Sequence, residues 1–91
     1  MSTVVDSFEY VEMLAVGASK SGKTRVFDVL NRKSGDELGM IAWFGPWRQY
    51  TFRADPLAVF SAGCLNDIAA FVEEQTDLQR RGVLKPWGAT R

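Results

Sequence analysis

Leu38-Gly39-Met40-Ile41-Ala42-Trp43-Phe44-Gly45-Pro46-Trp47-Arg48-Gln49-Tyr50-Thr51-Phe52-Arg53 consists of two short apolar and aromatic runs on either side of a Gly-Pro pair. Runs of this length, rich in aromatic residues and broken by turn residues, read as strands. Gly45-Pro46 suits a two-residue type II′ turn. Glycine takes the positive φ of the first central position, and the fixed φ of proline fits the second. A hairpin centred there pairs Phe44 with Trp47, Trp43 with Arg48, Ala42 with Gln49, Ile41 with Tyr50 and Gly39 with Phe52. One face then carries Gly39, Ile41, Trp43, Arg48, Tyr50 and Phe52. The other carries Met40, Ala42, Phe44, Trp47, Gln49, Thr51 and Arg53. The first set is the more apolar and is expected to meet a helix.

On the N-terminal side, Thr24–Asn31 reads as a strand with Phe27 and Val29 on one face and Val26, Asp28 and Leu30 on the other. Lys33-Ser34-Gly35-Asp36 supplies the turn that follows it. Phe8–Val16 alternates as an earlier strand, with Tyr10, Glu12, Leu14 and Val16 on one face and Glu9, Val11, Met13 and Ala15 on the other, and the first ten residues are polar enough to fray. On the C-terminal side, Asp55-Pro56 ends the last strand, since proline cannot donate to a ladder. Ser61 offers an N-cap for a helix to about Gln79. Its apolar stripe is Cys64, Leu65, Ile68, Phe71 and Val72, with Asn66, Asp67, Glu73, Glu74 and Asp77 outward. Gly82 stops it, and 83–91 reads as a loose tail whose Trp87 tucks back. The expectation is an α+β fold: a four-stranded antiparallel β-meander with one C-terminal amphipathic helix on one face, ββββα. It makes a single domain, 1–91, with an ordered core over about 8–80 and a tail over 81–91.

Composition narrows the chemistry. A chain of 91 residues has room for one core. Eleven basic residues balance eleven acidic ones, so no net field gathers nucleic acid or anionic lipid. Histidine is absent and Cys64 is the only cysteine. That removes the usual general base and the Cys-His donor sets of zinc, excludes an internal disulfide and fits a reducing compartment. No run approaches the ~20 apolar residues that span a bilayer, and the first six residues lack a signal-peptide pattern. The reading is a cytoplasmic protein with no metal, no cofactor and no catalytic residues. Adjacent acids such as Glu73 and Glu74 point apart on a helix and read as solvated faces. Without a histidine to activate it, Cys64 reads as packing.

Gly17-Ala18-Ser19-Lys20-Ser21-Gly22-Lys23-Thr24 matches the phosphate-loop pattern G-x-x-x-x-G-K-[ST], in which backbone N–H groups wrap phosphates and Lys23 reaches the terminal ones. The pattern works only where a strand enters and a helix leaves, beneath a parallel sheet. Arg25–Leu30 reads as a strand, so this segment is expected to be a basic hairpin loop.

From Thr24 to Val72 the chain resembles a group of small uncharacterised proteins of bacteriophages and their bacterial hosts, whose pattern is approximately S-G-x-x-L-G-x-I-x-W, W-R-x-Y-x-F, a proline and C-L-x-D-I-x-x-F. Ser34, Gly35, Leu38, Gly39, Ile41 and Trp43 carry its first part. Trp47, Arg48, Tyr50 and Phe52, then Pro56, then Cys64, Leu65, Asp67, Ile68 and Phe71 carry the rest. Thr51 and 53–55 depart from it, and the Gly17–Thr24 loop lies outside it. The resemblance implies phage or prophage ancestry and brings no activity with it.

Three readings of the aromatic hairpin stay open. In the structural one, Trp43 and Tyr50 fill the core while Arg48 stacks on Trp43 and bonds a helix acid such as Asp67. In the second, Trp43, Trp47, Arg48, Tyr50, Arg53 and Lys23 bind a ligand, since aromatic faces and cations suit a nucleobase and its phosphate. In the third, Phe44 and Trp47 anchor a protein partner. The expected function is that of a non-catalytic phage accessory or counter-defence protein, in the host cytoplasm if phage-encoded, which sequesters a nucleotide-type small molecule or blocks a host protein. The alternative is a homo-oligomeric assembly module, because one helix leaves Val26, Met40, Phe44 and Trp47 on an uncovered sheet face. A phosphate-loop nucleotide binder ranks below both.

Overall fold

The computed structural model describes residues 3–19 and 22–82. Five antiparallel strands, β1 (Thr3–Ser7), β2 (Val11–Ala18), β3 (Arg25–Asn31), β4 (Glu37–Phe44) and β5 (Gln49–Ala54), follow one another across the sheet in chain order. One helix, α1 (Ala62–Arg80), completes the α+β fold. The sheet is a meander, as the sequence predicts, but it has five strands where four were expected. The additional one is β1. Val4 and Val5 have the β-branched shape that a pleated surface favours, and Thr3–Ser7 pairs with β2 from Thr3↔Ala15 to Ser7↔Glu12 around a bulge at Val5. Polarity in the first ten residues signals an edge strand here rather than fraying, because an edge keeps a wet side. Phe8 leaves the strand expected for it. Its N–H closes the β1–β2 turn on the Val11 carbonyl (2.8 Å), and its ring meets Phe71 edge-on at 6.3 Å.

Strand alternation and helix periodicity converge on one core. Val11, Met13, Phe27, Val29, Leu38, Ile41 and Tyr50 from the sheet are buried against Cys64, Ile68 and Phe71 of α1. Phe27 and Phe71 meet edge to face at 5.0 Å. Ser61 caps the helix as expected, its Oγ accepting from the Cys64 N–H at 3.1 Å. The inward line is Cys64, Ile68, Phe71, Gln75 and Thr76. Leu65 departs from the expected stripe and is 49% exposed. Asp67 also departs, turning inward so that Oδ2 accepts from the Tyr10 N–H at 3.0 Å. The Tyr10 ring lies against Gly63, where a side chain would displace it.

The hairpin differs from its expected form. Gly45–Trp47 is a 3₁₀ turn with Pro46 in its first positions, and Arg48 follows in the left-handed region at φ 54. The loop is four residues long, and the register is Phe44↔Gln49, Trp43↔Tyr50, Ala42↔Thr51, Ile41↔Phe52, Met40↔Arg53 and Gly39↔Ala54. Proline fits the first central position of a type I turn as well as it fits the second of a type II′, so the dipeptide does not distinguish them. Burial does. A two-residue turn sets the Arg48 guanidinium opposite Trp43 on the core face, and the longer loop replaces it with Tyr50. Slipping the pair by two residues keeps the paired side chains 39–44 and 49–53 on their expected faces, whereas a slip of one would have inverted them, and it moves Arg48 off the core face into the loop.

The helix is bound to the sheet at its C-terminal end. Thr76 Oγ1 accepts from the Tyr50 N–H (3.0 Å), Gln79 Nε2 donates to the Lys23 carbonyl (3.0 Å), and Arg80 donates through Nε and Nη2 to the Arg48 carbonyl (3.0 and 2.7 Å). Gly82 (φ 74) ends the helix, its N–H donating to the Gln79 carbonyl. The contact expected of Trp87 lies outside the described residues. No helix among the described residues is long and apolar enough to cross a membrane.

Candidate functional site

The six residues nominated as ligand-binding divide among three parts of the fold. Trp43 and Tyr50 belong to the core side, their rings edge-on at 5.4 Å. Tyr50 is 2% exposed, and its Oη accepts from the Arg25 N–H at 3.0 Å. Burial raises the Tyr50 phenol above its usual range, and the Arg25 N–H and its positive charge pull it part of the way back. Lys23 and Arg48 sit in two loops at the same end of the sheet. The last turn of α1 holds both of them by backbone carbonyls. Arg48 therefore neither stacks on Trp43 nor reaches Asp67. Its place in the loop bends the chain, and its carbonyl serves Arg80. Trp47 and Arg53 lie with the third group, on the side of the sheet away from α1.

Gly17 and Ala18 are the last residues of β2, and Ser19 and 22–24 belong to its connection with β3. Ser19 and Gly22 close it through Ser19 N–H to Thr24 carbonyl and Gly22 N–H to Ser19 carbonyl, both 2.9 Å. Thr24 leads into a strand, so the helix that a phosphate cradle needs does not follow it. Among the described residues no cluster of His, Cys, Asp or Glu is gathered to hold a metal.

The sheet face opposite the helix is covered by no other described element. Alternation puts Leu14, Val26, Leu30, Met40, Ala42 and Phe44 there, and Val4 of the edge strand joins them beside Leu14, 50% exposed. At one end Phe44 carries Trp47 edge-on at 5.1 Å, and the indole is 64% exposed. Across the middle runs a single register row, Val4–Leu14–Asp28–Met40–Arg53. Asp28 and Arg53 flank Met40 from the neighbouring strands, and neither has an ion-pair partner among the described residues. With Met40 they line a shallow depression of about 270 Å³.

Alternation alone assigns Asp28 to this face. The pairing of Met40 with Arg53 was missed, since the two-residue turn sets Arg53 opposite Leu38. Arg80 was missed too, and only its position in the last helical turn signalled a role.

No family model matches the chain. No solved structure matches it. It is 36% identical over 70 residues to the "Uncharacterized 9.3 kDa protein" of Acholeplasma phage L2, an alignment covering 77% of this chain and 88% of that protein. The chain belongs to the family of small phage proteins that includes the 9.3 kDa protein of Acholeplasma phage L2.

Proposed function

We propose that the protein is a non-catalytic phage accessory protein that acts by binding another protein through its open sheet face, with Phe44 and Trp47 as anchors. The observation that carries this reading is an uncovered apolar face with an exposed tryptophan braced edge-on by a phenylalanine. A large, stiff aromatic group at the rim of an apolar patch gains binding energy at small entropic cost. The phage family supports an accessory role. The nucleotide-sequestering version draws less support, because its residues are divided among the core, two loops and the open face. Sequestration of a host signal would need them around one ligand.

The test is affinity capture from bacterial extract with the full chain and with Trp47→Ala and Phe44→Ala, each variant checked for native helix content. A bound protein retained by the wild type and weakened about tenfold or more by either variant is the expected result. A bound protein held equally by all three would remove the open face from the reading, and so would the absence of any enriched protein.

A further inference from the structure

We infer that the end of the sheet at which α1 terminates binds a single-stranded nucleic acid through its phosphate backbone. The fold gathers cations there that lie far apart in the chain: Lys23 beside β3, Arg25 at its start, Arg48 in the β4–β5 loop, and Arg80 and Arg81 at the end of α1. Hydrogen bonds make them neighbours. Gln79 Nε2 donates to the Lys23 carbonyl, Arg80 donates to the Arg48 carbonyl, and the Arg25 N–H donates to the hydroxyl of Tyr50 in β5. Lys23, Arg48, Arg80 and Arg81 are exposed. Of the carboxylates on the last turns of α1, Asp77 is taken up by Arg81 at 2.9 Å, and Glu73 and Glu74 stand a turn further back.

The balancing acids sit at the opposite end. Glu9, Glu12, Asp36, Glu37, Asp55 and Asp67 lie in or beside the β1–β2 and β3–β4 turns, the segment after β5 and the first half of α1, together with Arg32 and Lys33. β2 and β4 are eight residues long, so about 25 Å separates the two ends. That is about three times the ~8 Å screening length at physiological ionic strength. A partner at the cationic end therefore meets a positive field that the zero sum over the whole chain conceals.

The groups present suit phosphodiesters. Four of these five cations are arginines, whose planar fork donates to two phosphate oxygens at once. The Lys23 and Arg48 loops are two strand spacings apart, about 10 Å, which gives room for a few successive phosphates. Trp47 adjoins Arg48 in the same loop and is 64% exposed, so it offers an aromatic surface to a base. Bases of a single strand are free to take it, whereas those of a duplex are already stacked. Trp47 stands at the corner that this end shares with the open face, and the cations are what set the two surfaces apart.

Fluorescence polarisation of the full chain with a labelled mixed-sequence single strand of about 16 nucleotides tests this, with the same sequence as a duplex and phosphatidylglycerol vesicles as competitors. Lys23→Gln with Arg48→Gln is compared, at equal helix content, with Arg32→Gln with Lys33→Gln, which removes the same two charges from the opposite end. The wild type is expected to bind the single strand with a slope of log affinity against log salt of about −2 to −3, the value for three or four phosphates. The first pair is expected to weaken binding at least about tenfold, and the second to leave it within about twofold. A wild type that binds no single strand would overturn the inference. So would equal weakening by the two pairs, or stronger competition by duplex or vesicles than by unlabelled single strand. A chain that ignores nucleic acid and still captures a protein through Phe44 and Trp47 leaves the proposed function standing, so the two readings fail separately.

Discussion

Replacing Thr76 by valine removes one hydroxyl and tests how α1 is fastened to the edge of the sheet. Tyr50 lies in β5, the outer strand, and its N–H donates to Thr76 Oγ1 at 3.0 Å. Both residues are buried, so water does not take the place of the lost acceptor. An orphaned buried N–H costs about 1–3 kcal/mol, and the added methyl returns about 0.8 kcal/mol. The expected net loss is about 0.2–2 kcal/mol, which in a domain of this size lowers Tm by about 1–15 °C. Urea unfolding measures the loss, and amide exchange of Tyr50 locates it. In the valine variant this amide is expected to exchange faster than its neighbours, whereas Thr76→Ser, which keeps the oxygen, preserves its protection. If the valine variant matched the wild type in urea midpoint and in Tyr50 protection, the hydroxyl would not be what seals the edge strand.

Two further outcomes follow from the packing. Gly39 has φ 153, and a Cβ there would fall on the Arg53 carbonyl oxygen and the Phe52 ring. Gly39→Ala is expected to cost about 2–4 kcal/mol in urea unfolding, against well under about 1 kcal/mol for Gly45→Ala, whose Cβ would meet open space. The Tyr50 phenol is neutral when protonated and its folded pKa is raised, so the stability it contributes is complete below the usual phenol range and is lost as pH rises through the folded value. Absorbance titration should show a late tyrosinate component that Tyr50→Phe abolishes, and a component absent from the wild type would count against burial of this ring.

The legible parts of the fold were those governed by local period. Alternation separated Val11, Met13 and Ala15 from Leu14 and Val16 without choosing the core side, it set Phe27 and Val29 apart from the uncovered Val26, and helix period from Cys64 to Phe71 identified the inward side of α1. Ser61 and Gly82 marked its ends by capping chemistry that acts within one turn. β1 was missed because an edge strand is chosen by its partner: Val4 and Val5 are weak signals until β2 is beside them. Of the candidate site, the aromatic anchors Phe44 and Trp47 were legible as a surface pair. The assignment of Arg48 to the same patch as Trp43 was not, since it depended on a turn type that Gly45-Pro46 leaves open.

By itself the sequence determined an antiparallel meander, its buried face and a C-terminal helix, because side-chain period and capping are properties of neighbours along the chain. Tertiary structure alone decided the register of β4 and β5. The choice between a two-residue and a four-residue turn rests on whether arginine or tyrosine is buried opposite Trp43, and that cost exists only once the helix has closed over the sheet. The same two-residue slip brought Arg53 into the row of Asp28, and so created the charge pattern on the face that the helix leaves open.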